Sequence, residues 1–172
     1  IEIKDLSPTI KGIRLQLDRP IEFQAGQYIN VQFPDIEGTR AFSIANSPSE
    51  VGIVELHIRK VEGGAATTYV HEQLATGDQL DISGPYGQFF VRKSDDQNAI
   101  FIAGGSGLSS PQSMILDLLA SGDSRTIYLF QGARDLAELY NRELFEQLVK
   151  DYPNFRYIPA LNAPEPEDQW TG

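Results

Sequence analysis

The hydrophobic pattern changes its period once along the chain, and this change limits the folds that the chain can adopt. Up to about residue 90, apolar and polar residues alternate in short runs such as 28–33 and 54–59. Such alternation is typical of strands buried on one face. Residues 99–103 instead form a continuous apolar run, which is typical of a parallel strand covered on both faces. The sequence therefore predicts a β-rich half followed by an α/β half.

Turn signals divide the first half into short strands. Alternating runs at 1–4, 13–17, 28–33, 54–59 and 79–83 are separated by turn residues at 25–26, 35–38, 47–48, 63–64, 77–78 and 84–85. This spacing predicts a small antiparallel β-barrel. One helix is predicted at 67–74, where Thr67 or Thr68 would cap the first turn. We expect the barrel domain to span residues 1–94.

The second half alternates apolar runs with helical patterns. After the strand at 99–103, we expect a helix at 111–120 with Pro111 in its first turn, and a strand at 126–130. A helix at 138–150 and a strand at 155–158 follow, the helix burying Leu139, Leu144, Phe145 and Leu148 on one face. The acidic tail at 162–169 is predicted to be a loop. Residues 95–172 thus predict a βαβαβ parallel-sheet nucleotide-binding domain, incomplete at its C-terminus.

Composition excludes several classes of partner. The 172 residues include 14 basic and 24 acidic side chains, which give a net charge of −10. The sequence shows no basic stripe that could bind nucleic acid or an anionic membrane surface. The longest apolar stretch is too short to span a bilayer, and no signal-peptide pattern is present. A cytoplasmic location is expected. The chain starts at Ile1 and stops after its third α/β strand, so we expect a piece of a longer protein.

The chain contains no cysteine and two histidines, His57 and His71. These counts exclude disulfides, thiolate catalysis and a cysteine-ligated iron–sulfur cluster within these residues. Two histidines do not by themselves form a zinc site. Each histidine is interpreted as a structural hydrogen-bonding group, because neither has a nucleophile or carboxylate partner at a sequence spacing that indicates catalysis.

A glycine-rich loop, Gly104-Gly105-Ser106-Gly107-Leu108-Ser109-Ser110-Pro111, lies between the predicted strand and helix. Glycines allow close backbone approach to an anion, and a helix start offers free N–H groups. The loop departs from the dinucleotide-binding pattern, because Ser110 replaces the third glycine. An ordinary tight turn between strand and helix is the alternative.

Two motifs in the first half are suited to a second phosphate-bearing ligand. In Arg40-Ala41-Phe42-Ser43 the arginine can hold a phosphate with a bidentate fork, the aromatic can stack on a ring, and the serine can hydrogen-bond a ring nitrogen. The alternative is a solvated arginine beside a core phenylalanine. Gly63-Gly64-Ala65-Ala66-Thr67-Thr68 can form an anion cradle at a helix start, or a flexible hairpin tip.

Taken in order, these motifs resemble the ferredoxin–NADP⁺ reductase-like flavoprotein family, and most closely the NADH-dependent reductase components of bacterial multicomponent oxygenases of the phenol hydroxylase kind. The resemblance covers nearly the whole chain. It also rests on residues 25–28, Gly77-Asp78 and the segment at 84–89. It implies a barrel that binds FAD and an α/β domain that binds NAD(H).

The resemblance assigns roles residue by residue in the flavin site. It places Arg40 on the FAD pyrophosphate, Ala41 beside it, Phe42 against the flavin in place of a tyrosine, and Ser43, the candidate catalytic residue, near flavin N5. The strand carrying His57, Ile58 and Arg59 would edge the flavin and its phosphates. A phosphate loop would be formed by Gly64, Ala66 and Thr67.

The resemblance also assigns the nicotinamide dinucleotide. Its pyrophosphate would lie on Gly104, Gly105, Gly107 and Pro111, and the adenosine half would be read at Arg134 and Asp135. An acidic residue near the ribose 2′-hydroxyl favours NAD over NADP. Since this chain has no cysteine, a [2Fe–2S] centre is expected only in a missing domain.

The function implied is a flavin-dependent oxidoreductase that passes electrons from NADH through FAD to a ferredoxin-type iron–sulfur centre and an oxygenase, in aromatic catabolism. One alternative is a flavin- or nucleotide-binding regulatory module without turnover. The other is the FAD–NAD module of a flavohaemoprotein or a nitrate reductase.

Overall fold

The computed structural model describes residues 1–92 and 97–171, so the predicted domain boundary between residues 94 and 95 lies outside the described residues. The first half contains six strands and one helix in the described part. They are β1 (Glu2–Ser7), β2 (Ile10–Gln16), β3 (Tyr28–Gln32), β4 (Thr39–Ser43), β5 (Ile53–Arg59), α1 (Ala65–Glu72) and β6 (Asp81–Tyr86).

These strands form two antiparallel three-stranded sheets around one core. The strand orders are β1-β2-β5 and β4-β3-β6, and a single bridge between Ile44 and Leu56 joins the two sheets. Apolar side chains from both sheets and from α1 fill the space between them, among them Ile29, Val31 and Val54. The predicted antiparallel β half is confirmed, and alternation is its cause because every second residue faces this core.

Strand β5 departs from simple alternation at its second half. Leu56 and Ile58 face the barrel core, yet His57 between them is also buried. A strand residue on the outer face is buried only where another layer covers it. The α/β half provides that layer.

Two local predictions for the barrel are wrong. Gly84-Pro85 lies inside β6 as a cis peptide rather than in a turn between strands. Helix α1 begins at Ala65 with Gly64 as its N-cap and no side-chain cap, so neither Thr67 nor Thr68 caps it. The hydroxyl of Thr67 instead closes the preceding turn, accepting the Val61 N–H at 3.1 Å and donating to the Gly64 carbonyl at 3.1 Å.

The second half is a parallel sheet in the order β7-β8-β9. Its elements are β7 (Ala99–Gly104), a 3₁₀ turn (Gly105–Leu108), α2 (Ser109–Ala120), β8 (Ile127–Ala133), a 3₁₀ turn (Leu136–Glu138), α3 (Arg142–Asp151) and β9 (Phe155–Leu161). The predicted βαβαβ order is confirmed. In the tail, the predicted loop contains one further 3₁₀ turn, Pro166–Asp168.

One face of this sheet is covered and the other is open. Phe101 and Leu129 are buried with residues of α2 and α3 in one cluster. On the opposite face, Ile100 is 62% exposed and Ile102 is 82% exposed. The prediction that residues 99–103 are covered on both faces is therefore wrong for the described residues, because the apolar cluster that includes α2 and α3 lies on one side.

Helix α3 begins later than predicted. Asn141 has φ +57°, a left-handed conformation that breaks the pattern expected from residue 138 onward. Phe145 and Leu148 are buried as predicted, and Leu139 is buried from the turn before the helix. Leu144, predicted in the core, is 36% exposed. Tyr140, in the turn before the helix, contacts His57 of the barrel.

No helix among residues 1–92 and 97–171 combines the length and the apolar character needed to cross a membrane.

Gly26 sits where the two halves press together. A Cβ on Gly26 would lie 2.0 Å from the Phe89 carbonyl oxygen and 2.2 Å from Cε of Met114, and φ is +101°. Gly77 has a similar φ of +98° with no neighbour within 4 Å. We therefore expect Gly26→Ala to destabilise by about 1–3 kcal/mol more than Gly77→Ala, because only the first adds overpacking to backbone strain. Urea unfolding measures the free energy of unfolding of both variants, and equal losses in the two would contradict this expectation.

Candidate functional site at the junction of the two halves

A cleft of about 510 Å³ opens at the carboxyl ends of the parallel strands. Ligands of open α/β sheets bind at this edge. The cleft is also bordered by the barrel through the end of β5. Its lining residues are Arg59, Gly104, Gly105, Gly132, Ala133, Arg134, Glu138, Ala160, Leu161 and Asn162.

In the β7–α2 loop, a side chain would clash with protein atoms at Gly104 and Gly105 and would enter open space at Gly107. A Cβ on Gly104 would lie 2.8 Å from the Gly132 carbonyl oxygen, and one on Gly105 would lie 2.9 Å from Nη1 of Arg59. Gly105 also has φ +52°, whereas a Cβ on Gly107 would meet nothing within 4 Å. The residues present therefore fit a ligand phosphate that approaches the backbone closely. Pro111 lies buried in the first turn of α2, as predicted, and does not face this space.

Two arginines supply positive charge to the cleft, one from each half. Arg59 is exposed at the end of β5, with Nη1 beside Gly105. Arg134 follows β8 and has a 71% exposed side chain. Since Arg59 lies against the nucleotide loop, the structure places it beside the predicted dinucleotide site as well as on the predicted flavin strand.

Asp135 is occupied by protein partners. Its Oδ1 accepts the Glu138 N–H at 3.1 Å, capping the 3₁₀ turn, and its Oδ2 accepts Nε of Arg134 at 2.8 Å. The hydrogen bond from Arg134 is the main cause that lowers the pKa of this carboxyl. Asp135 is therefore a buried, paired carboxylate, while Arg134 lines the cleft.

Glu138 links the cleft wall to the barrel. Its Oε2 accepts hydrogen bonds from Oγ of Ser7 at 2.9 Å and Oγ1 of Thr9 at 2.8 Å. The sequence did not single out Glu138, because its barrel partners are more than a hundred residues away.

His57 is buried between strand β5 and the α/β half. Its side chain has 0% exposure, Nε2 lies 2.9 Å from Oε1 of Glu55, and Nδ1 lies 3.2 Å from the hydroxyl of Tyr140. His57 is a hydrogen-bonded structural residue, as expected, but the expectation that it has no carboxylate partner is wrong, because Glu55 lies two residues away on the same strand. Ile58 also has its side chain in the core, so only the backbone of these two residues is open to a cofactor. His71 is likewise structural, with Nε2 2.9 Å from the Ile58 carbonyl oxygen.

Strand β4 presents the flavin motif at the barrel surface. Arg40 and Ala41 are exposed, whereas Phe42 and Ser43 are half-buried. The guanidinium of Arg40 donates to the carbonyls of Glu37 at 3.3 Å and Thr39 at 3.0 Å. Phe42 packs edge-on against Phe33, with 6.1 Å between the ring centroids. It therefore supports the core while part of its ring stays accessible.

Helix α1 lies near this motif, because Phe33 contacts both Phe42 and Tyr69 of α1. The N–H groups of its first turn, at residues 65–67, have no intrahelical acceptor. Gly64 precedes them and Ala66 is buried, so the Ala66 side chain does not face a ligand. The Thr67 hydroxyl is engaged in the turn, which leaves the backbone as the available anion cradle.

Helix α2 is hydrogen-bonded to the segment that follows the flavin motif. Gln112 Nε2 donates to the Ala45 carbonyl at 3.3 Å, and Ser113 Oγ donates to the Asn46 carbonyl at 2.7 Å. Both polar side chains are buried. The nucleotide loop and the flavin motif are thus each only a few residues from this interface. The interface joins segments that are distant in sequence, so no local pattern indicates it.

Metal ligation has no support in the described residues. Among residues 1–92 and 97–171, no group of three or more histidine, aspartate or glutamate side chains is arranged to hold a metal ion.

Two family models match the chain in the same order as the two halves. Residues 1–91 match the oxidoreductase FAD-binding domain, and residues 101–172 match the oxidoreductase NAD-binding domain.

Two curated relatives match nearly the whole chain. The chain is 98% identical, over 100% of its length, to the phenol hydroxylase P5 protein of Acinetobacter pittii strain PHEA-2, of which it covers 49%. It is 65% identical to the reductase component DmpP of phenol 2-monooxygenase from Pseudomonas sp. strain CF600, covering 98% of this chain and 48% of that protein. The chain therefore spans about half the length of these relatives.

Among solved structures, the Amycolatopsis cytochrome P450 reductase GcoB superposes with a TM-score of 0.91 at 32% identity, over 97% of this chain and 52% of that one. The order of sheets described above is thus that of a known reductase. The chain belongs to the oxidoreductase FAD-binding domain family, with an oxidoreductase NAD-binding domain following in the same polypeptide.

Proposed function

We propose that the barrel holds FAD and that the junction cleft holds NADH, so that the chain is the electron-entry module of a reductase. When bound, these cofactors supply hydride transfer from the nicotinamide to flavin N5. The protein supplies binding, orientation and exclusion of water. The observation that carries the proposal is the cleft itself, where β5 of the flavin half meets Gly104 and Gly105 of the nucleotide half.

In the flavin site, we assign Arg40 to the pyrophosphate, with Ala41 beside it, because its guanidinium is exposed and bonded only to neutral carbonyls among the described residues. The backbone N–H groups of Ala66 and Thr67, which follow Gly64 in the first turn of α1, add a helix N-terminus to the same anion. Phe42 would stack on the flavin. Ser43, adjacent in β4, would offer its hydroxyl near flavin N5.

In the nucleotide site, Arg59 and the backbone of Gly104, Gly105 and Gly107 are assigned to the pyrophosphate. Arg134 is assigned to the adenosine half. Asp135 lies 2.7 Å from Nη2 of Arg134, and its negative charge balances the positive charge of the guanidinium. The 2′-phosphate of NADP would therefore be attracted only weakly to Arg134. This pairing favours NAD over NADP, and Asp135 would act through Arg134 rather than on the ribose itself.

The activity of the complete protein extends the same proposal. Two relatives are named as parts of phenol-oxidising systems, one of them as a reductase component. We propose that electrons leave the flavin for a [2Fe–2S] centre in a ferredoxin-type domain and then reach an oxygenase. The cluster requires residues outside this chain, which has no cysteine. We further propose a cytoplasmic location, where NADH is available.

Anaerobic reduction of the purified full-length protein tests the proposal. After reconstitution with FAD, addition of NADH should bleach the flavin absorbance within one turnover. NADPH should do so with a kcat/KM at least about tenfold lower, the expected cost of a poorly matched phosphate. A protein that retains FAD but is not reduced by NADH would indicate a binding module without turnover, and a protein that retains no FAD would refute both.

A further inference from the structure

A chain of hydrogen bonds, buried at its centre and partly exposed at Arg14, connects the barrel to the nucleotide loop. It runs from Arg14 through Glu55 and His57 to Tyr140, and ends on the Gly105 carbonyl. The distances are 2.7 Å for Arg14–Glu55, 2.9 Å for Glu55–His57, 3.2 Å for His57–Tyr140 and 3.0 Å for Tyr140–Gly105. Of these four contacts, the His57–Tyr140 hydrogen bond crosses between the halves, because Arg14, Glu55 and His57 lie on β2 and β5 of the barrel and Tyr140 and Gly105 lie in the α/β half.

The direction of the hydrogen bond between Tyr140 and Gly105 follows from its donor and acceptor. The hydroxyl of Tyr140 has one proton, and the Gly105 carbonyl can only accept it. Burial, together with the negative charge of Glu55, raises the pKa of Tyr140, so this proton stays on the hydroxyl. The two ring nitrogens of His57 bridge the two halves of the chain, Nδ1 at the tyrosine oxygen and Nε2 at the Glu55 carboxylate.

The partners of Glu55 support this arrangement. Burial alone would raise the pKa of Glu55, but the hydrogen bonds and charges of His57 and Arg14 outweigh it and lower the pKa. Arg14 is itself paired with Glu50 at 2.6 Å. A buried network with every member satisfied is rigid, because breaking one bond leaves an uncompensated polar group.

The end of the chain acts on the loop that carries the predicted pyrophosphate site. A hydrogen bond to the Gly105 carbonyl fixes the plane of the 105–106 peptide, and in a trans peptide the Ser106 N–H then points the opposite way. Two residues after His57 on β5, Arg59 lies against the same glycine. Strand β5 therefore positions Gly105 in two ways, through the contacts from His57 to Tyr140 and through Arg59.

We propose that Tyr140 and His57 are positioning residues that set the nucleotide loop relative to the flavin-binding barrel, and so set the distance over which hydride is transferred. The inference rests on the proposed function. Neither side chain needs to touch a cofactor. Since a displacement of about 1 Å can cost about a hundredfold in rate, a bridge of this kind has a measurable effect.

The test compares Tyr140→Phe with Tyr157→Phe in the full-length, FAD-loaded protein. Tyr157 is the control for loss of a tyrosine hydroxyl, because its hydroxyl donates to Oε1 of the buried Gln131 at 2.8 Å. Gln131 donates in turn to the backbone carbonyl of Tyr140 at 3.0 Å, so Tyr157→Phe leaves the side-chain contacts from His57 through Tyr140 to Gly105 in place. In single-turnover reduction by NADH, Tyr140→Phe should lower the limiting rate about tenfold or more while changing the NADH dissociation constant less than about threefold. Tyr157→Phe should behave as wild type.

Hydrogen exchange provides a readout that does not depend on turnover. Amides of the loop at 105–108 should exchange faster in Tyr140→Phe than in wild type and Tyr157→Phe. His57→Gln, which cannot contact both partners as the two ring nitrogens do, should change the rate and the exchange in the same direction. FAD content should stay close to wild type in all three variants, which should remain folded, with melting temperatures lowered by a few degrees because each loses a hydrogen bond.

Several results would overturn the inference. They are an unchanged limiting rate in Tyr140→Phe, a change in NADH affinity alone, equal slowing in Tyr157→Phe, loss of FAD in Tyr140→Phe, or unchanged exchange of the loop. If wild-type protein is not reduced by NADH, the proposed function fails instead, and the exchange experiment alone decides whether the bridge holds the loop.

Discussion

Gly104→Ala should weaken NADH binding by about tenfold while leaving FAD in place. The added Cβ would lie 2.8 Å from the Gly132 carbonyl oxygen, so β7 and β8 must separate at the edge that forms the cleft. A strain of this kind costs about 1–3 kcal/mol, and 1.4 kcal/mol is a tenfold change in affinity. Calorimetric titration of the FAD-loaded protein with NAD⁺ measures the dinucleotide affinity directly.

Gly107→Ala is the matched control for this change. It adds the same methyl group to the same loop, where nothing lies within 4 Å of the new Cβ. We expect Gly107→Ala to lose less affinity than Gly104→Ala, because its methyl group displaces neither strand and meets only the bound phosphate. If both variants lose the same affinity, the close approach of the two strands is not what shapes the site.

Arg40→Ala should release FAD from the barrel, with an affinity loss of about 10- to 100-fold. A charge-assisted hydrogen bond contributes about 1.5–3 kcal/mol, and this arginine has no carboxylate partner within the described residues to compete for it. Equilibrium dialysis, or fluorescence of the released flavin, measures the change.

Arg134→Ala provides the comparison at the other cofactor site. It lies at the cleft on the α/β half and should leave FAD affinity unchanged while weakening NADH binding. Equal flavin loss in the two variants would argue that Arg40 acts on folding rather than on the pyrophosphate, and an unfolding curve would show this.

The sequence predicts the fold well where the pattern is local. Alternation over 28–33 and 54–59 places side chains on a common core, and the glycine loop after the apolar run at 99–103 marks the β7–α2 junction. Both features depend on residues within a few positions of each other. For the same reason, the exposed arginine at position 40 and the open glycine loop could be singled out before the structure was known.

Features that depend on distant contacts were not predictable. Tyr140 was expected inside a helix, because nothing in the pattern indicates the left-handed Asn141 that ends the preceding turn. The hydrogen bond from Tyr140 to Gly105 joins residues 35 positions apart, and the bond from Thr9 to Glu138 joins residues 129 apart. Side-chain partners at such separations follow from tertiary packing rather than from local propensity.

Side-chain competition explains the smaller errors. Thr67 has the composition of a helix cap, yet its hydroxyl is used by Val61 and Gly64 because two glycines let the turn tighten before the helix. Asp135 has the composition of a ribose ligand, yet it is engaged by Arg134 and the Glu138 N–H. In both cases the residue type was recognised and the nearest partner was not.

A crystal structure of the full-length protein with FAD and NAD⁺ bound tests the central claim most directly. The account predicts the dinucleotide pyrophosphate in the cleft between Arg59 and the backbone of Gly104 and Gly105. It predicts the flavin pyrophosphate at Arg40 and the start of α1, with the flavin ring beside Ser43. Density for the dinucleotide away from the carboxyl edge of β7 and β8, or for FAD away from β4, would contradict it.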